Sequence, residues 1–149
     1  MNITIATADD LDAMADLLYE LFTLESDFKP ERKKQLRGLR LILDNPQIGQ
    51  LFVLRVDGIV ASMANALITV STAEGRAVVL LEDVIVKAAF RGQKLGRKLV
   101  EHVFDWAAKA GMPRVTLLAD KDNAPALAFY DRLGFELSAM RVLRKNLSL

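Results

Sequence analysis

The chain has 149 residues, of which 52% are hydrophobic and 26% charged, a balance that excludes intrinsic disorder and a length that fits one domain, 1–149, with a sizeable core. Lys and Arg number 20 against 19 Asp and Glu, for a formal net charge of +1, so the basic excess of a dedicated nucleic-acid binder is missing. The absence of cysteine removes disulfides, thiolate metal sites and any cysteine nucleophile, and fits a reducing cytoplasm.

Residues 1–5 alternate Ile3 and Ile5 with polar neighbours, which predicts a short strand and has none of the character of a signal peptide. Leu11, Met14, Leu17, Leu18, Leu21 and Phe22 recur at helical spacing after the capping run Thr7-Ala8-Asp9-Asp10. A second helix opens at Pro30, with Leu36, Leu39, Leu41, Ile42 and Leu43 on its apolar side, and Asn45-Pro46 ends it. Strands follow over Leu51–Val56 and Ile59–Val70, joined by the hairpin signal Asp57-Gly58. After the turn Ala73-Glu74-Gly75, Ala77–Val86 reads as a central strand rich in Val, Leu and Ile. No apolar run reaches the roughly 20 residues of a membrane span, so no membrane contact is expected.

Downstream of Arg91-Gly92, Leu95, Leu99, Val103 and Trp106 form the stripe of an amphipathic helix that Gly111 stops. His102 falls on its polar face, and a lone histidine cannot build a multi-histidine metal site; no metal is expected. Arg114–Ala119 predicts another strand. Asn123 caps a last helix with Pro125 in its first turn and Gly134 at its end, and Phe135–Leu147 alternates loosely enough to suggest one or two final strands. The order implies an α/β chain with a mixed sheet flanked by helices on both faces.

The chemistry concentrates between Leu81 and Gly96. A buried strand runs through a loop holding Arg91 and Gly92 straight into a helix. The first turn of a helix carries N–H groups without intrahelical partners, at the positive end of the macrodipole, and so suits a phosphate or pyrophosphate. Arg91, Lys94, Arg97 and Lys98 add positive charge. Glu82 and Asp83 are adjacent on the strand and face opposite sides in regular geometry, unless a bulge re-aims one of them.

The spacing Arg91-x-x-Lys94-x-Gly96 resembles the pyrophosphate loop of the GCN5-related N-acetyltransferase (GNAT) superfamily. Asn123-Ala124-Pro125-Ala126-Leu127-Ala128-Phe129-Tyr130-Asp131-Arg132-Leu133-Gly134-Phe135 is similar to that family's late helix. The family's middle loop position is usually glycine; Lys94 stands there, and we read it as already helical, where a side chain is tolerated. The resemblance implies acetyl transfer from acetyl-CoA to a primary amine of a small molecule or peptide in a direct ternary complex. It implies a cofactor-binding loop in which the backbone of Gln93, Lys94, Leu95 and Gly96 holds the pyrophosphate while Arg91 and Gly92 shape the loop. Val84, Ile85 and Val86 would meet the pantetheine arm, and Asn123 would contact the same arm while capping its helix. Tyr130 is the expected general acid, and Glu82, with Asp83 as runner-up, the expected base. A homodimer is compatible with the family. The competing expectation is a non-catalytic acyl-CoA-binding regulatory module.

Overall fold

The structure is a computed structural model describing Met1–Glu25 and Asp27–Leu149. Two compact units emerge, Met1–Leu118 and Ala119–Leu149.

The first unit carries β1 (Asn2–Ile5), α1 (Leu11–Leu24), α2 (Arg32–Leu43), β2 (Gly49–Val56), β3 (Ile59–Ser71), β4 (Arg76–Val86), α3 (Leu95–Lys109) and β5 (Val115–Leu117). The five strands lie in chain order in one sheet. The first four are antiparallel, and β5 runs parallel to β4. Parallel neighbours need a long crossover, which α3 supplies. Asp57 and Gly58 both take positive φ, +50° and +78°, the geometry a two-residue hairpin needs to match strand twist.

The period of two along the strands divides the side chains between two helical layers. Leu51, Val53, Met63 and Ile85 pack with Met14, Leu17 and Leu18 of α1 and Leu39 of α2. On the opposite face, the ring of Phe52 meets Trp106 and His102 of α3 edge-on, at 5.3 and 5.6 Å between centroids. Leu99 and Val103 of α3 are fully buried. A site on the rim between β4 and α3 therefore rests on two packed layers.

One polar interaction ties the outer strands to the start of α1. Arg55 donates from Nη1 and Nη2 to the two carboxylate oxygens of Asp10, at 2.6 and 2.9 Å, and the Thr7 N–H donates to the same carboxylate at 2.9 Å. The Arg55 hydrogen bonds hold the Asp10 carboxyl below its ordinary range against the opposing effect of burial. A depressed carboxyl stabilises the fold above its unfolded pKa and loses that contribution as pH falls through the folded one. Asp10→Asn is accordingly expected to cost about 2 kcal/mol at neutral pH. Denaturant melts at falling pH should show the gap to wild type closing below the carboxylate range.

In the second unit, α4 (Ala124–Arg132) is capped by Asn123, whose Oδ1 accepts from the Ala126 N–H at 3.1 Å. Its C-terminal stop explains the Tyr-x-x-Leu-Gly-Phe spelling. Gly134 turns left-handed at φ +92°. The Phe135 N–H donates to the Tyr130 carbonyl at 3.1 Å and the Gly134 N–H to the Asp131 carbonyl at 3.0 Å. These are the two bonds of a Schellman stop, and the Tyr130–Phe135 ring contact at 5.6 Å is its usual apolar companion.

One expectation fails here. No strand forms in residues 135–147. The apolar residues Leu137, Met140, Val142, Leu143 and Leu147 are exposed, and they fall at steps of three, two, one and four rather than at the strict alternation that gives a strand one buried face.

Candidate active site

β4 leads into the loop through a short 3-10 turn, Ala88–Phe90. Arg91 is exposed but turns back onto the chain. Its Nε donates to the Val86 carbonyl at 3.0 Å, and its Nη2 lies 3.8 Å from Glu20 Oε1 on α1. The same Glu20 oxygen accepts from the Ala88 N–H at 3.4 Å. Arg91 thus ties the loop to the end of β4 and to α1. Glu20 is an anchor between α1 and the loop.

Gly92 takes φ +80° and Lys94 φ +61°, ψ +22°. The reading of Lys94 as helical is therefore overturned: it is the residue before the helix, in the left-handed region. The chain must swing from extended Arg91, at ψ 156°, into the first helical residue, Leu95, and a left-handed step makes that swing. The Lys94 carbonyl accepts the first helical hydrogen bond, from the Lys98 N–H at 3.2 Å. Among the described residues, the N–H groups from Gly92 to Arg97 meet no acceptor. Gln93 and Lys94 are exposed, while Leu95 and Gly96 are buried beneath them. This row of unpaired donors at a helix start fits a pyrophosphate in charge and in hydrogen-bonding sense.

Strand β4 offers a second feature. Its pairing with β5 ends at Leu81↔Leu117, so among the described residues no strand pairs with Glu82–Val86 on that side. Of the three residues expected to meet a pantetheine arm, Ile85 is buried, and its carbonyl accepts from Ser62 Oγ at 2.9 Å. The Val86 carbonyl is taken by Arg91, and Val84 is half-buried.

The third feature is a bulge. Between Met63↔Ile85 and Asn65↔Glu82 the register slips, so β4 holds one more residue than β3. Asp83 absorbs it at φ +55°. Residues opposite each other in register share a face, so Glu82 lies on the face of Asn65, which pairs with Leu51 across β2. The bulge brings Asp83 to that face as well: Asn65 Nδ2 donates to Asp83 Oδ2 at 3.2 Å. Both carboxylates consequently belong to the α1 and α2 side of the sheet, the case in which a bulge defeats alternation. Asn65 itself was missed by motif reading. Its signal was a lone amide inside the apolar run Ile59–Val70.

Desolvation pushes the Asp83 carboxyl up, opposed by the Asn65 hydrogen bond. In the second unit, Tyr130 is half-buried, with its ring 5.1 Å from Phe129 and 5.6 Å from Phe135. The cap at Asn123 uses only its Oδ1. Among the described residues no cluster could hold a metal ion, and no helix is long and apolar enough to cross a membrane.

With the loop, the strand edge and the carboxylates in view, comparison with known proteins decides the family. The model of the acetyltransferase (GNAT) family matches residues 11–135. The chain belongs to this family. It is 30% identical over 139 residues to an uncharacterized N-acetyltransferase of Methanocaldococcus jannaschii, covering 91% of this chain but 60% of that protein; the chain spans about three-fifths of that relative's length. It is 31% identical over 135 residues to an IAA acetyltransferase of Azospirillum brasilense, covering 90% of this chain and 84% of the relative. The crystal structure of a possible acetyltransferase from Clostridium difficile superposes with a TM-score of 0.89 at 19% identity, over 99% of this chain and 98% of that one. At that identity the likeness concerns the fold, a mixed sheet between helices.

Two substitutions probe the site's strain. Lys94→Gly is expected to raise stability by about 1 kcal/mol, because glycine takes a left-handed conformation without a Cβ penalty. Asp83→Asn is expected to raise the melting temperature at pH 7, since asparagine tolerates the same conformation and removes a poorly solvated charge. A carboxyl whose folded pKa is raised stabilises the fold below its unfolded pKa and loses that contribution as pH rises through the folded one. Calorimetry at falling pH should therefore show the advantage of Asp83→Asn shrinking, opposite in sign to the trend at Asp10.

Proposed function

We propose that this GNAT-family chain is an N-acetyltransferase that moves the acetyl group of acetyl-CoA to a primary amine of a small molecule or peptide in a direct ternary complex. The single observation that carries the reading is the run of N–H groups from Gly92 to Arg97 at the start of α3 that meet no acceptor among the described residues, beyond the stretch of β4 that β5 does not cover. When bound, acetyl-CoA supplies an activated acetyl thioester. Gly92, Gln93, Lys94, Leu95 and Gly96 would hold its pyrophosphate through backbone N–H groups, with Arg91 bracing the loop. Val84, Ile85 and Val86 would line its arm, and the amide nitrogen of Asn123, left over from capping, would donate to it.

Glu82 would take a proton from the acceptor's ammonium, directly or through water, since an alkylamine with a pKa of about 10.4 is mostly protonated at neutral pH. A backbone N–H near Val84 or Ile85 would stabilise charge developing on the thioester oxygen. The phenol of Tyr130 would protonate the departing sulfur. The family match at residues 11–135 takes in parts of both units, which supports reading 1–149 as one catalytic domain. With no cysteine in the chain, an acetylated cysteine is not an available intermediate.

Release of free CoA from acetyl-CoA with a panel of primary amines tests the reading. Wild type should turn over, and Tyr130→Phe should lower kcat by about 100-fold with the acetyl-CoA Kd unchanged. Tight acetyl-CoA binding without turnover on any amine would instead establish a non-catalytic acyl-CoA-binding module.

A further inference from the structure

Beside the bulge, one buried polar atom of the first unit has no partner among the described residues. Asn65 is 4% exposed, and its Oδ1 is buried without a hydrogen-bond partner. An orphaned buried amide oxygen carries a desolvation cost, which a bound donor would relieve. The Asp83 carboxylate beside it has Asn65 Nδ2 as its hydrogen-bond donor, and among the described residues no cation pairs with it. Glu82 stands opposite Asn65 in the register, on the same face. The apolar residues next along that face are Leu51, across from Asn65, and the Met63–Ile85 pair. At Asn65 Oδ1 and Asp83 the cluster has acceptors to spare.

We propose that Asp83 and the Oδ1 of Asn65 form the seat for the acceptor's ammonium group, the group of a primary alkylammonium. A primary ammonium brings three N–H donors on a compact charge. One would meet the Asp83 oxygen not engaged by Asn65, one the Asn65 Oδ1, and one Glu82. A quaternary ammonium has the charge but no N–H, so it leaves Asn65 Oδ1 unsatisfied and is excluded. In this division of labour Asp83 and Asn65 bind the amine and Glu82 receives its proton. The seat rests on the reading of the acceptor as a primary amine.

The test follows the Asn65 side-chain amide by NMR while butylammonium chloride is added to the full chain, with tetramethylammonium chloride as control. Saturable shifts with butylammonium and none with tetramethylammonium are expected. Asp83→Asn should weaken that binding by about 10-fold or more and raise the KM for butylamine by a similar factor, with a smaller effect on kcat. Asp83→Gly, which relieves the left-handed backbone, serves as the second variant and should lose binding likewise. An unmoved Asn65 signal, or equal affinity in both Asp83 variants and wild type, overturns the seat. A loss confined to kcat also overturns it, because Asp83 would then be the base rather than the binding group. Shifts at Asn65 without CoA release would leave the seat standing and refute acetyl transfer; CoA release without those shifts would do the reverse.

Discussion

A single extra residue in β4 controls the chemistry available on this sheet. A regular strand would send Glu82 and Asp83 to opposite faces. With Asp83 at φ +55° the ladder slips by one, and Asn65 captures its carboxylate at 3.2 Å. A left-handed aspartate and a poorly solvated carboxyl both work against folding, at a cost of order 1–3 kcal/mol for such strained positions. The surrounding layers hold the arrangement in place: Ile85 and Met63 pack against α1 and α2, and α3 closes the other face.

The same strand solves a second problem at its far edge. β5 is three residues long and stops pairing at Leu81, so the chain opens a strand edge where Glu82–Val86 continue. Immediately beyond, Gly92 and Lys94 turn the backbone left-handed and leave successive N–H groups without acceptors. A strand edge without a strand partner and a row of N–H groups without acceptors among the described residues thus lie within fifteen residues of one another in sequence. Arg91 and Glu20 brace this region from the strand end and from α1, which stiffens the approach to a helix start that favours anions.

Much of this was legible in the residues. Asp57-Gly58 announced its hairpin because few pairs accept positive φ twice. Asn123, Pro125 and Gly134 announced the ends of α4 because capping is local chemistry, and the Schellman stop accounts for the spacing from Tyr130 to Phe135. The run Arg91–Gly96 announced a row of free N–H donors because helix starts expose donors whatever the tertiary setting. What stayed hidden depends on other strands. The bulge is a mismatch of register between β3 and β4, and neither strand's own pattern records it. The role of Asn65 needed its neighbour across the ladder. The left-handed Lys94 was misread because its propensity suits a helix while the required change of direction does not. The loose apolar spacing after Phe135 suggested strands that the missing period of two could not sustain.

The most direct measurement is a backbone amide NMR titration of the full chain with CoA. The account predicts that the largest shifts fall on the N–H groups of Gly92–Arg97 and on the open edge of β4 from Glu82 to Val86, with the α2 surface unmoved. Binding of CoA that leaves those amides unshifted would contradict it.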